Sequence, residues 1–99
     1  MSGQKSPPIH ELLSALDLER RGWAVVDHWE GDACAVGVAR TSDPRRLVYV
    51  SAFNKERGTY DYECEMPSGP SNTDYMTTDR GENVTFQTLL RALQRHLKE

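Results

Sequence analysis

Apolar residues recur along this chain in two rhythms, and the changes between them divide it into elements. Ile9, Leu12, Leu13 and Leu16 keep the i, i+3, i+4, i+7 spacing of one helical stripe. Ser6-Pro7 ahead of them suits a helix start, with serine at the N-cap and proline in the first turn. Arg20 and Arg21 suit the negative end of the helix dipole, and Gly22 the position just beyond it. Near the other terminus Phe86, Leu89, Leu90, Leu93 and Leu97 form a second stripe, capped by Thr85 or Asn83. Arg91, Arg95 and Lys98 lie off that stripe, and His96 complements the same dipole.

Between the stripes the period shortens to that of strands. Strand one runs from Trp23 to about Glu30, strand two from Ala33 to Arg40, strand three from Arg46 to Phe53 and strand four from Thr59 to Met66. The last alternates strictly, with Tyr60, Tyr62, Cys64 and Met66 against Asp61, Glu63 and Glu65. Gly31-Asp32 has the glycine-first pattern of a type II′ hairpin turn. Thr41-Ser42-Asp43-Pro44-Arg45 and Asn54-Lys55-Glu56-Arg57-Gly58 are the next two connections. Residues 1–6 read as a loose leader and 67–82 as a long polar loop, a kind that is often functional. The expectation is a single α+β domain over residues 1–99, of order α-β-β-β-β-α. Its four-stranded antiparallel meander is flanked by an N-terminal and a C-terminal helix.

The hairpin at Gly31-Asp32 sets a register in which Val26 faces Gly37 and Ala24 faces Ala39. Trp23, Val25, Asp27 and Trp29 then share the other face with Cys34, Val36 and Val38. Continued alternation adds Leu47, Tyr49, Ser51 and Phe53 to this bulky face, and Val48, Val50 and Ala52 to the small one. Small side chains let helices approach closely, so both helices are expected on the Ala/Gly/Val face. Trp23, Trp29, Tyr49 and Phe53 would then stand open, more aromatic area than a monomer commonly leaves in water. The competing arrangement puts the helices over the aromatics and leaves Ala24, Ala33, Ala35, Ala39, Val48 and Val50 in solvent, which is tolerable. Tyr75 and Met76 could alternatively fold over Trp29 or Tyr49 as a flap.

Composition narrows the function classes. Hydrophobic residues at 37% and charged residues at 27% are ordinary for a globular chain, and the net charge of −3 gives nucleic acid or an anionic membrane no attraction. The leader has no apolar run suited to a signal peptide and no stretch spans a bilayer, which points to the cytoplasm. Cys34 and Cys64 have neither CxxC spacing nor a histidine at zinc-finger distance. On strands two and four they would lie roughly 9–10 Å apart, too far to bridge. They read as plain buried thiols, and neither metal nor cofactor is implied.

Asp61, Glu63 and Glu65 recur about 6.8 Å apart along one side of strand four. Such a rail discourages sheet-to-sheet aggregation and can also steer a basic partner. His10, His28 and His96 form no recognisable catalytic arrangement, and no GxSxG, P-loop, GxGxxG or HExxH occurs. The helix, meander, helix layout is shared by many small bacterial proteins and loosely resembles that of immunity proteins and secretion chaperones. Those families bind one protein partner through a sheet or helix face, and the resemblance, of architecture and size only, carries no residue over. The sequence therefore points to a non-catalytic protein-binding module, self-associating or escorting or neutralising a partner. Trp23, Trp29, Tyr49 and Phe53 would anchor the contact, and Asp61, Glu63 and Glu65 would tune it. The alternative is a small enzyme using carboxylates or Cys64 beside the 67–82 loop.

Overall fold

A computed structural model of the chain describes residues 5–26, 31–70 and 74–97. Ser6 is extended (φ −69°, ψ 160°), and its carbonyl accepts the amides of Ile9 and His10, so α1 spans Pro7–Leu16. Ile9, Leu12 and Leu16 are wholly buried and Leu13 half-buried, as one stripe requires. The helix does not run on to Arg21. Asp17 turns left-handed (φ 53°), and a short α2 follows at Leu18–Arg21, closed by Gly22 at φ 75°. Two arginines satisfy the break: Arg21 Nε donates to the Leu16 carbonyl at 2.7 Å, and Arg20 Nε pairs with Asp17 Oδ2 at 2.6 Å.

Five strands follow in a simple antiparallel meander: β1 (Trp23–Val26), β2 (Ala35–Arg40), β3 (Asp43–Ser51), β4 (Thr59–Pro67) and β5 (Tyr75–Thr85). Helix α3 (Phe86–Leu97) closes the chain, and the Thr85 hydroxyl caps it by accepting the Thr88 amide at 3.3 Å. The α+β class with a helix at each end stands. The strand count is corrected from four to five, because the segment expected as a long loop contains β5. β5 is an edge strand with polar outward positions, and two irregularities break its alternation. Glu82 and Asn83 together oppose Asp61, while Thr78 is an extra residue between the pairs Cys64–Asp79 and Glu65–Thr77. Asn83 is left-handed (φ 53°), and its amide donates to Asp61 Oδ1 at 2.9 Å, which pins the first bulge to β4.

Register assigns the faces. Val26 faces Gly37 and Ala24 faces Ala39, the pairing set by the β1–β2 hairpin. The residues of that hairpin up to Glu30, Trp29 among them, lie outside the described residues. At the next hairpin Arg40 faces Asp43 but Ala39 faces Leu47, so Pro44, Arg45 and Arg46 have no counterpart on β2. An odd insertion exchanges the faces. Val48 and Val50 therefore join Val36, Val38 and Trp23, while Leu47, Tyr49 and Ser51 join Ala35, Gly37 and Ala39, the reverse of the alternation expected from sequence.

Both helices pack on the Trp23 face. There α1 and α3 place Ile9, Leu12, Leu16, Leu89, Leu93 and Leu97 against the four valines, Tyr60, Tyr62 and Cys64. The indole is thus covered, as in the competing arrangement, since Trp23 is only 3% exposed, but the valines lie under the helices rather than in water. Gly81 opposes Tyr62 across the β4–β5 pair, and a Cβ there would strike the tyrosine ring, with Cζ at 3.0 Å and Cε2 nearer still. The glycine leaves room for the phenol to lie over the edge of the core.

Candidate functional site

On the sheet face opposite the helices, Tyr49 of β3 lies between Gly37 of β2 and Glu63 of β4. Glu65 pairs with Leu47 and Asp61 with Ser51, so the acidic rail and the tyrosine share this face. Burial pushes the Tyr49 phenol above its usual range; a hydrogen bond with Ser51 works against this, and the charges of Asp32, Glu63 and Asp61 reinforce it. The charges that act on the phenol are thus carboxylates, of which Asp61 is paired with Lys55 and Glu63 stands opposite Arg80. Beneath it the floor is closed: Ala35, Ala39 and Leu47 are fully buried, while Ala24 and Val26 keep partial exposure.

The three carboxylates differ in what they already do. Asp61 receives Lys55 Nζ at 2.9 Å and the Asn83 amide. Burial would raise its pKa, but these two hydrogen bonds outweigh that and hold it below the usual carboxylate range. Asp61 is therefore committed to the β4–β5 bulge. Glu65 is half-buried. Glu63 opposes Arg80 of β5 in the ladder and stands half-exposed beside Tyr49.

Of the other residues expected at a binding surface, Trp23 belongs to the core. The Arg21 guanidinium stacks on it at 5.4 Å from the ring centroid, and the indole Nε1 is buried with no hydrogen-bond partner among the described residues. Phe53 is 67% exposed just beyond Ser51, whose hydroxyl accepts the Phe53 amide at 3.2 Å. Trp29 lies outside the described residues. Tyr75 pairs with Pro67 and Met76 with Met66, and Met76 is 52% exposed, so this segment is a strand end rather than a flap.

A second concave feature lies on the helix side, a cleft of about 390 Å³ between the last turns of α3 and the strands β3 to β5. Cys64 lines it, but burial and then the nearby Asp79 charge push its thiol up to about 11, with Arg95 opposing. At neutral pH such a thiol stays protonated and is a poor nucleophile. His96, which sequence reasoning assigned to the helix dipole, is 7% exposed, and its Nε2 sits 3.0 Å from the Glu65 carbonyl. Burial holds its pKa below 6.5, against the hydrogen bond to Glu65, so the neutral ring donates to that carbonyl. Asp79 Oδ2 accepts Arg95 Nη2 at 2.9 Å and the Tyr62 hydroxyl at 3.3 Å. No signal in the sequence linked Arg46, Asp79 and His96, because two bulges and a helix bring them together. Cys34 is half-buried, and both cysteines are free.

Among the described residues no group of three His, Cys, Asp or Glu side chains is arranged to hold a metal ion, and no helix is long and apolar enough to cross a membrane. The chain matches no protein-family model, and no solved structure matches it.

Proposed function

We propose that this chain is a non-catalytic recognition module that docks a basic segment of another protein on the sheet face around Tyr49. The observation that carries the reading is Tyr49 paired with Glu63 across the β3–β4 ladder, with Asp61 one pair along the same face, to which neither α1 nor α3 contributes core residues. A phenol face beside carboxylates suits a lysine or arginine side chain through cation–π and charge attraction. A second copy would bring the same carboxylates to the contact, so a basic chain fits better than self-association. Phe53 adds exposed apolar area at the end of β3. Trp23 has no part in this surface, and a Cys64-based enzyme is disfavoured by the high pKa of its thiol.

The test is a titration of the protein with a lysine-rich peptide and with its glutamate-rich counterpart, followed through backbone amide shifts. The expected result is saturable, salt-sensitive perturbation around Tyr49, Ser51 and Glu63 by the basic peptide alone. Equal response to both peptides, or perturbation confined to α1 and α3, would count against the proposal.

A further inference from the structure

The cleft beside α3 carries an unbalanced positive charge. Among the described residues its charged groups are Arg46 from β3, Arg95 from α3 and Asp79 from β5, two guanidiniums against one carboxylate. His96 is neutral and the Cys64 thiol protonated at pH 7, so neither offsets the excess. This stands out in a chain of net charge −3. Arg46 is anchored by its Nε, which donates to the His96 carbonyl at 2.6 Å. That bond fixes the plane of the guanidinium and leaves its terminal nitrogens for another acceptor. Arg95 is 66% exposed on its side chain yet oriented by Asp79. The Thr78 hydroxyl makes only a long contact of 3.4 Å to the Cys64 carbonyl, and can turn toward a ligand.

We propose that this cleft binds a small molecule through an oxyanion head, a carboxylate or a phosphate, clasped by the guanidiniums of Arg46 and Arg95. Planar guanidiniums recognise both groups through paired N–H donors. Met66 and Cys64 supply an apolar wall for the body of the ligand, and the volume of about 390 Å³ falls within the range of small-molecule sites. The site lies on the opposite face from Tyr49 and does not depend on the proposed protein contact. An anion here would favour the charged form of His96. Among the described residues the groups facing that ring are Arg46 and the Leu47 backbone from β3, Cys64 and the Glu65 carbonyl from β4, Asp79 from β5 and Arg95 from its own helix.

Inorganic phosphate and, separately, acetate are titrated into the protein at low ionic strength while the His96 ring protons are followed by NMR. Saturable shifts are expected together with a rise in the His96 pKa, and the anion that saturates at lower concentration identifies the head group. Arg95→Gln and Arg46→Lys should each weaken binding by about tenfold or more, since each removes a paired donor. Ser14→Ala, on the exposed side of α1, should leave it unchanged. Arg95→Gln keeps the test decisive even where Arg46→Lys disturbs the fold, because Arg95 is largely exposed. Shifts that grow linearly without saturating for both anions, or binding that Arg95→Gln leaves intact, would overturn the proposal.

Discussion

Gly81 and Tyr62 compete for one space, and the glycine yields it. A methyl at position 81 must displace either the ring or the backbone of β5, and neither is a flexible chain end. Gly81→Ala is expected to destabilise the protein by about 1–3 kcal/mol, the usual range for overpacking, measured as a lower denaturation midpoint. The two thiols should separate in reactivity. Cys34 is half-buried and Cys64 fully buried with its pKa at about 11, so a thiol reagent at pH 8 should modify one cysteine quickly and the other only on unfolding. His96 makes stability depend on acid. Its folded pKa lies below 6.5, so the unfolded chain binds the extra proton. Stability from this group is complete above pH 6.5 and declines as pH falls toward the folded pKa. His96→Gln should remove that part of the slope in denaturation measured across this window. The leucine stripes and the Thr85 cap were legible from sequence, because each depends on neighbours in the chain. The roles of His96 and Gly81 were not, because their partners Glu65 and Tyr62 lie on another strand.

At the scale of elements, the first hairpin and the last helix follow from local spacing, whereas β3 and β5 do not. The spacing around Gly31-Asp32 implied the β1–β2 register, and Val26 does face Gly37, but Asp32 opens a turn through Ala35, and β2 starts there rather than at Ala33. Strand three looked equally regular, but the unpaired residues Pro44 to Arg46 exchange its faces, and nothing in the spacing of Val48, Tyr49 and Val50 records this. β5 escaped detection because threonines and charges fill an edge strand and two bulges interrupt its period. Those bulges also blunt an edge that would otherwise invite pairing with another chain. Asp61 holds the first of them, so Asp61→Ala should speed hydrogen exchange at the Asn83 amide while amides of the β2–β3 ladder keep their protection. Thr85→Ala should cost about 1 kcal/mol, the usual value for a lost N-cap, and fray the start of α3.

At the scale of the molecule, the helices cover the Trp23 face of the sheet. Trp23 disappears under them, so of the expected open aromatics the described residues keep Tyr49 and Phe53, beside the acidic rail. What survives of the sequence reading is chemical rather than areal: carboxylates beside an aromatic ring. The most direct measurement is the affinity of the lysine-rich peptide for the wild type and for Glu63→Lys. Saturable binding is expected, weakened by charge reversal about tenfold or more because a complementary charge is lost. Unchanged affinity in Glu63→Lys, with the fold intact, would contradict it.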